Sequence, residues 1–201
     1  MKKEKTIMGM LVIIDIVDSN VDEKIFEEVF NYLNSIDKRF SPYKKDSELT
    51  LYNNRKIKKE SLSNDFKQII SFSEDMRKRT NGFFNILYRD KIDPSGLVKG
   101  WAIYNAKLLI SEKGYKNFYI EIAGDIEAVG LNHDNKKWII GIRNPFNKKE
   151  NVKIVYLRNQ AIATSGTYER GNHIYNPLTN KLATDIESIT VIGPNIYEAD
   201  C

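Results

Sequence analysis

The stretch NFYIEIAGDIEAVG (residues 117–130) contains two short runs of alternating apolar and polar residues on either side of the turn-forming sequence Ala-Gly-Asp. Alternation with a period of two is typical of a β-strand, and two such runs joined by a tight turn pair antiparallel. We therefore predict a largely antiparallel sheet, with Asp125 in a Gly-Asp turn between two of its strands. The remaining strand-like runs are KWIIGIRN (137–144), NVKIVYLRNQAIATSG (151–166) and ESITVIG (187–193).

Helical patterns occupy most of the chain before these strands. In residues 23–40, apolar side chains recur at helical spacing, and Asn20 or Asp22 precedes them as a cap. Helices that pack against an antiparallel sheet define the α+β class rather than a doubly wound parallel sheet. The predicted helices cover residues 23–40, 63–81 (ending near Gly82) and 101–114 (ended by Gly114), and residues 41–54 are predicted as a loop.

Length and composition predict one compact, two-lobed domain over residues 1–201. The chain has 201 residues, of which 41% are hydrophobic, so it can bury one sizeable core. Its net charge of +4 arises from 31 basic and 27 acidic residues, and this small excess argues against a nucleic-acid partner. The single cysteine, Cys201, excludes an intrachain disulfide and a multi-cysteine metal site.

The N-terminal stretch MKKEKTIMGMLVIIDIVDSN (1–20) has the basic start and apolar run of a signal peptide. Asp15 and Asp18 interrupt the apolar run, and no small-residue cleavage site follows it. We therefore predict the first β-strand at MLVIIDIV (10–17). No other stretch is long enough to span a bilayer, so we expect a cytoplasmic protein without stable membrane insertion.

The run DPSGLVKGWA (93–102) is predicted as a tight turn that leads into a helix. Pro94 stiffens such a turn, Gly96 lets the backbone bend, and Gly100 allows close approach of another group. The free amides at the start of the helix, together with the ammonium group of Lys99, suit an anionic ligand such as a pyrophosphate. An ordinary strand-to-helix turn explains the same residues, and both interpretations stay open on this run alone.

Two further segments place charged residues near glycine. Acids in turns such as the one at Asp125 are more often turn formers or ligand groups than core residues, because a buried acid is costly unless it is paired or metal-bound. The stretch IATSGTYERGNHIYNPLTN (162–180) brings Glu169, Arg170 and His173 into one loop. A lone loop histidine is more often incidental than catalytic, so His173 has an incidental and a catalytic interpretation.

Taken together and in order, the segments resemble the ApbE-like family of FAD:protein FMN transferases. The resemblance covers nearly the whole chain, and eight ordered blocks are far more specific than one glycine-rich turn. The matching blocks are IMGM (7–10), FSPYKKDSELTLYN (40–53), TNGFFNI (80–86), DPSGLVKGWA (93–102), AGDIEAVG (123–130), WIIGIRNP (138–145), IATSGTYERGNHIYNPLTN (162–180) and SITVIGPNIYEAD (188–200).

This resemblance implies a T-fold-related α+β domain that transfers the FMN half of FAD to a threonine or serine hydroxyl of an acceptor protein and releases AMP. It also implies a divalent metal, usually Mg²⁺, with FAD hydrolysis to FMN and AMP as a side or main activity. Attack at a pyrophosphate needs charge neutralisation and positioning, and Mg²⁺ with oxygen ligands supplies the former. A flavin-binding protein without turnover is the alternative function.

The same resemblance assigns roles to individual residues. Asp125 and His173 are the catalytic candidates. Asp200 matches the metal-binding aspartate of an Ala-Asp motif, and Gly96 matches a position whose main-chain carbonyl reaches the metal. The candidates for FAD binding are Met8, Tyr43, Phe83, Phe84, Asn85, Asp93, Lys99 and Ile174.

The sequence departs from the family pattern at several positions. Asn85 and Asn105 replace aspartates, which keeps the shape of the side chain and removes a charge, and Ala123 replaces the first glycine of a Gly-Gly-Asp motif. In the family, a metal-binding threonine follows the position of Asp200 by four residues and precedes a terminal helix or strand. We therefore expect a chain that is C-terminally truncated relative to the family and whose metal shell lacks one ligand; a natural short form, a truncated gene product and an incomplete piece of a longer protein all stay open.

Overall fold

The computed structural model describes residues 1–88, 90–147, 149–167, 174–179 and 181–201. Apart from a short 3₁₀ turn at Lys59–Ser61, its helices are α1 (Lys24–Phe40), α2 (Glu48–Asn53), α3 (Asn64–Arg79), α4 (Ser95–Glu112) and α5 (Ile196–Ala199). Its strands are β1 (Lys2–Ile7), β2 (Met10–Ile16), β3 (Leu87–Tyr88), β4 (Lys91–Ile92), β5 (Phe118–Ile122), β6 (Asp125–Val129), β7 (Trp138–Arg143), β8 (Asn151–Leu157), β9 (Gln160–Gly166), β10 (Tyr175–Asn176), β11 (Lys181–Leu182) and β12 (Ser188–Gly193).

The main sheet is antiparallel throughout. Within the described residues it has six strands in the order β1-β2-β5-β6-β9-β12, and each neighbouring pair is antiparallel. Smaller two-stranded units are formed by β3 with β4, β7 with β8 and β10 with β11. The predicted α+β class with a largely antiparallel sheet is therefore confirmed.

Apolar cores lie on both faces of the main sheet. The larger core joins α1 and α4 to the sheet around residues such as Phe118. The smaller core lies between the sheet and the β7–β8 hairpin, where Trp138 and Leu157 pack against Ile126 and Ala128 of β6. Because side chains alternate along a strand, Asp125 and Glu127 of β6 face the helices on the opposite side.

Side-chain oxygens accept backbone amides at the start of the first two long helices. Asp22, one of the two predicted caps, accepts the backbone N–H of Lys24 through its Oδ1 at 3.0 Å. Ser63 Oγ accepts the N–H of Phe66 at 3.2 Å at the start of α3. Gly82, at φ +88°, follows the end of α3 as predicted. In the part of the chain that the structure describes, no helix combines the length and apolar character needed to cross a membrane.

Two elements correct the prediction. The strand β1 precedes the run 10–17, so that run is not the first strand; β1 is polar because it is an exposed edge strand. The predicted loop 41–54 contains α2, which begins where Ser47 Oγ accepts the N–H of Thr50 at 3.1 Å. A serine cap followed by good helix formers outweighs the turn-forming residues before it.

The run 93–102 is not a turn before a helix, because α4 already begins at Ser95 and contains both glycines. Neither glycine has a positive φ. Gly100 is buried where α4 meets α5, and a Cβ atom at this position would lie 2.9 Å from the Cα of Tyr197. Gly100 therefore allows close approach of another segment of the chain, α5.

Asp125 is the first residue of β6, not a residue of the turn. The turn consists of Ala123 and Gly124, with φ values of 52° and 92°, as a two-residue hairpin turn requires. The strand register pairs Asp125 with Ile122 of β5. Because it belongs to a central strand, the Asp125 carboxylate is held rigidly inside the protein.

Candidate functional site

Lys99, Asp125 and Asp200 form a buried charged group between α4, β6 and the end of α5, here called the Lys99 cluster. The Lys99 ammonium is ion-paired with Asp125 Oδ2 and lies 3.6 Å from Asp200 Oδ1. The two acid side chains are 1% and 5% exposed, against 22% for the lysine. Because unpaired buried charges are costly, each group of the cluster constrains the others.

Asp125 is held through both oxygens: one accepts a hydrogen bond, and the other, which is buried and has no hydrogen-bond partner among the described residues, is ion-paired. Its Oδ1 accepts the backbone N–H of Thr164 in β9 at 3.0 Å, and its Oδ2 contacts Lys99. The Thr164 hydroxyl is in turn hydrogen-bonded to the hydroxyl of Thr190 in β12 at 2.9 Å. These contacts fix the orientation of Asp125, which in turn orients the lysine.

Asp200 has an oxygen that the protein leaves unsatisfied. Its Oδ2 is buried and has no hydrogen-bond partner among the described residues. Burial and the neighbouring charge of Asp125 raise the pKa of Asp200 to about 7, against the opposing effect of Lys99. A buried oxygen without a partner costs free energy, so this position favours a bound cation or a proton.

The two groups predicted to bind a metal lie at the same end of α4. Asp200 supplies the unsatisfied oxygen, and the carbonyl oxygen of Gly96 lies 3.8 Å from the Sγ of Cys201, the next residue. Within the described residues, no three His, Cys, Asp or Glu side chains surround a common metal position. Mg²⁺ commonly keeps waters and binds through one or two protein oxygens plus substrate phosphates. The residues therefore fit Mg²⁺ shared with a phosphate-bearing ligand.

Several predicted FAD-binding residues lie on the segments that lead into α4. Asp93 Oδ1 accepts the N–H of Ser95, the first residue of α4, at 3.1 Å. A Cβ atom on Gly96 would lie 3.6 Å from Cε2 of Phe84, so this ring lies against the start of α4. Asn85 Oδ1 accepts a backbone N–H two residues further on at 2.9 Å. Phe84, Asn85 and Asp93 thus lie beside the helix that carries the lysine of the cluster.

Ile174 lies next to the same segments. It directly precedes β10, and the ring of Tyr175 has its centroid 4.7 Å from that of Tyr88 at the end of β3. Burial, followed by the charge of Asp93, raises the pKa of Tyr175. This ring contact places the β10–β11 hairpin, which Ile174 directly precedes, beside the β3–β4 hairpin.

The remaining FAD-binding candidates are Met8, which packs against the larger core, and Tyr43 and Phe83, which follow α1 and α3. Met8, at φ 57°, begins the turn between β1 and β2. This turn lies at the same end of the sheet as the β5–β6 turn, because the N–H of Ala123 donates to the carbonyl of Leu11 at 3.2 Å. Tyr43 and Phe83 are 93% and 60% exposed. The described residues therefore enclose neither of these two aromatic rings.

His173, the second catalytic candidate, lies outside the described residues together with Tyr168, Glu169 and Arg170. The described chain resumes at Ile174, beside the FAD-binding candidates. The assignment of His173 therefore stays a prediction that rests on the family resemblance.

Sequence reasoning missed Glu127 and Lys107, which form a second buried pair beside the Lys99 cluster. Glu127 is fully buried, and its Oε1 accepts a hydrogen bond from Lys107 Nζ at 2.9 Å. Its Oε2 accepts the N–H of Ile196, the first residue of α5, at 2.8 Å. Burial raises the pKa of Glu127, and the contact with Lys107 opposes this effect. The available signal was the sequence Asp-Ile-Glu, since acids two residues apart on a strand share one face.

The fold and the Lys99 cluster together define an α+β protein with an antiparallel sheet and a site where an ammonium group meets buried carboxylates. Such a site suits a phosphate-bearing ligand with a hard cation. The chain belongs to the ApbE family, whose model matches residues 8–90 and 88–201. The resemblance found in the sequence is therefore confirmed.

Individual proteins with similar sequences carry the name of the same family. An FAD:protein FMN transferase of Vibrio cholerae is 32% identical over 119 residues, which represent 54% of this chain and 36% of that protein. The chain thus spans about a third of that relative's length in the match. An FAD:protein FMN transferase of Haemophilus influenzae is 24% identical over 243 aligned positions, covering 89% of this chain and 70% of that protein.

Solved structures share the fold over the whole chain. The flavin transferase ApbE from Vibrio cholerae superimposes with a TM-score of 0.85 at 21% identity, covering 100% of this chain and 84% of the other. The ApbE protein from Thermotoga maritima superimposes with a TM-score of 0.86 at 20% identity, with the same coverage. At these identities the likeness establishes the fold.

Proposed function

We propose that this chain transfers the FMN half of FAD to a threonine or serine hydroxyl of an acceptor protein, with release of AMP and a requirement for Mg²⁺. We also propose that residues 1–201 act as one ApbE-type domain in this reaction. The proposal rests on the convergence of Lys99, Asp125 and Asp200 at one buried site in a chain of the ApbE family. Relatives in that family carry the name FAD:protein FMN transferase.

Lys99 is assigned to the pyrophosphate of FAD. Its ammonium contacts two carboxylates, which fix its position. A preorganised charge stabilises the negative charge that develops on phosphate oxygens without reorganising during the reaction. Asp200 and the Gly96 carbonyl would hold Mg²⁺, which when bound neutralises further phosphate charge.

The transfer also needs a group that accepts the proton of the attacking hydroxyl. The hydroxyl oxygen forms a bond to the FMN phosphorus, the bond from that phosphorus to the bridging oxygen breaks, and AMP leaves with the electron pair. We assign Asp125 as the base that accepts the hydroxyl proton, because its orientation is fixed by Thr164 and Lys99. His173 is the second candidate for this base. General base catalysis of this kind contributes about 10²- to 10⁴-fold.

The FAD-binding candidates form an inner and an outer group in this proposal. Phe84, Asn85, Asp93 and Ile174 lie on the hairpins and segments next to α4, so they are assigned to the part of FAD nearest the pyrophosphate. The outer group consists of Met8, Tyr43 and Phe83. Exposed aromatic rings provide flat apolar surface, and stacking on a flavin or adenine ring would cover it.

Purified protein incubated with FAD and Mg²⁺, with and without a threonine-containing acceptor protein, tests the proposal. We expect Mg²⁺-dependent AMP release by chromatography and, by mass spectrometry, an acceptor that carries covalent FMN. AMP release with an unmodified acceptor would indicate hydrolysis. FAD binding without AMP release in either mixture would contradict the transfer and support the flavin-binding alternative.

A further inference from the structure

The pair Glu127–Lys107 joins three elements without a role in the proposed chemistry. Glu127 lies on β6, two residues after Asp125, and contacts Lys107 of α4 and the first N–H of α5. The strand β6 thus carries two buried carboxylates on one face, and each is paired with a lysine of the same helix. The first pair belongs to the Lys99 cluster, and the second lies where α5 begins.

The helix α5 depends on such contacts because it has only four residues, and isolated helices of this length are unstable. Its N-terminal amides have two side-chain partners. Asn195 Oδ1 accepts the N–H of Glu198 at 3.0 Å, and Glu127 Oε2 accepts the N–H of Ile196 at 2.8 Å. Of these two side chains, Glu127 belongs to the main sheet, against which α5 also packs through Ile196 and Ala199.

The backbone of Asp200 is bonded directly to that of Ile196. The N–H of Asp200 donates to the carbonyl of Ile196 at 3.0 Å, so the two residues bound the same helical turn. On its other side, α5 touches Gly100 of α4 so closely that a Cβ atom there would lie 3.0 Å from the Ile196 carbonyl and 3.3 Å from the Asp200 Cβ. A shift of the first turn of α5 therefore moves the Asp200 carboxylate relative to Lys99.

We propose that Glu127 is a positioning residue for Asp200: through its hydrogen bond to Ile196, and held by Lys107, it fixes α5 and keeps the Asp200 carboxylate beside Lys99. The consequence for Mg²⁺ binding rests on the proposed function. The anchoring of α5 does not, and it can be measured without FAD or metal.

Cys201 reports on this anchoring, because it is the single cysteine of the chain, adjoins Asp200 and packs partly buried against the main core. The measured quantity is the rate at which 5,5′-dithiobis(2-nitrobenzoate) labels its thiol. Glu127→Leu removes the acceptor, and Glu127→Gln keeps an acceptor oxygen of the same reach. Glu28→Leu is the matched control, since Glu28 pairs with Lys113 at 2.8 Å on the exposed surface.

Loss of a hydrogen bond to a charged group changes an equilibrium constant, here that for opening of α5, by about 10- to 100-fold. The thiol of Cys201 in Glu127→Leu should therefore be labelled at least about tenfold faster than in wild type. The same variant should weaken apparent Mg²⁺ affinity by about tenfold, as measured by the Mg²⁺-dependent increase in FAD binding. Glu28→Leu should label within about threefold of wild type, because it leaves the amide of Ile196 with its acceptor. Glu127→Gln should label at a rate between wild type and Glu127→Leu, because its oxygen can accept from Ile196 while its NH2 group faces Lys107.

Unchanged labelling in Glu127→Leu overturns the anchor, and faster labelling with unchanged Mg²⁺ affinity overturns the positioning of Asp200. Glu127→Gln that labels as fast as Glu127→Leu overturns the assignment to the hydrogen bond. If Glu127→Leu does not fold, the labelling rates of Lys107→Met and Lys113→Met test the anchor instead. Only Lys107→Met removes the partner of Glu127, so only this variant should be labelled faster than wild type. If wild-type protein shows no Mg²⁺ effect on FAD, the proposed function fails, while the labelling rates still decide whether Glu127 anchors α5.

Discussion

Replacing Gly100 by alanine sets two effects on the free energy of unfolding against each other. Alanine is more favourable than glycine in a helix interior by about 1 kcal/mol. The new Cβ, however, would lie 2.9 Å from the Cα of Tyr197 and 3.0 Å from the carbonyl oxygen of Ile196. Both are backbone atoms, which give way only if α5 moves. Because overpacking of this kind costs about 1–3 kcal/mol, we expect Gly100→Ala to lose about 0–2 kcal/mol of stability.

Gly96→Ala is the matched control in the same helix. There the new Cβ would lie 3.6 Å from Phe84 Cε2, an ordinary contact, so the gain of about 0.4–1 kcal/mol from replacing glycine is unopposed. Urea unfolding followed by tryptophan fluorescence should therefore rank Gly96→Ala above wild type and Gly100→Ala below it. The displaced α5 should also weaken Mg²⁺ binding in Gly100→Ala. If the two variants were equally stable, the close contact between α4 and α5 would be refuted.

Three further outcomes are expected. Without metal, Asp200 has a pKa of about 7 when folded and 3.8 as its ordinary value, so the folded state holds an extra proton between these values and its stability falls as pH rises from about 4 to 7. Asp200→Asn removes this loss of stability. In urea unfolding, the stability of Asp200→Asn relative to wild type should therefore be higher at pH 8 than at pH 4, and an equal difference in stability at both pH values would contradict the raised pKa. Lys99→Ala should weaken FAD binding, measured by flavin fluorescence, by roughly 10- to 150-fold through loss of a charge-assisted contact, and unchanged affinity would rule out its phosphate role. His173→Ala should slow AMP release by about 10²- to 10⁴-fold with FAD affinity nearly unchanged, whereas a loss below about threefold would make this histidine incidental.

The β5–β6 hairpin of the main sheet could be predicted because apolar and polar residues alternate in its strands, whereas β2 and β9 show no strict alternation. In β5 and β6 the apolar residues face a core and the turn between them needs positive φ, so pattern and turn chemistry agree. The edge strand β1 lacks this signal, since its residues are largely charged and exposed. Alternation also identified Asp125 as part of a hairpin but misplaced it by one position, which changes an exposed turn residue into a buried one.

The start of α4 could not be predicted from local sequence. Proline, serine and two glycines within seven residues are typical of a turn, yet Gly96 and Gly100 lie within the helix. Gly100 is required there because α5, about a hundred residues later in the chain, packs against it. This requirement arises from tertiary packing, so it cannot be predicted from local helix or turn propensities.

The candidate site depended on the family resemblance for its residues and on the fold for its geometry. Lys99, Asp125 and Asp200 come from three distant segments, and nothing in their spacing shows that they meet. Glu127 lies in the quoted block AGDIEAVG, but its partner Lys107 lies in none of the blocks, and the pair became evident only because β6 and α4 face each other. Long-range pairing of charges is therefore the part that sequence reasoning could not supply.

AMP release from FAD at increasing Mg²⁺ concentration, by wild type and by Asp200→Asn, tests most directly whether the Lys99 cluster is a metal-dependent transfer site. Asparagine keeps the shape of the side chain but removes the charge that holds a hard cation. The proposed function predicts Mg²⁺-dependent AMP release by wild type and its loss in Asp200→Asn, while FAD binding persists in both. Equal Mg²⁺-dependent release by the two proteins, or no release by wild type at any Mg²⁺ concentration, would contradict it.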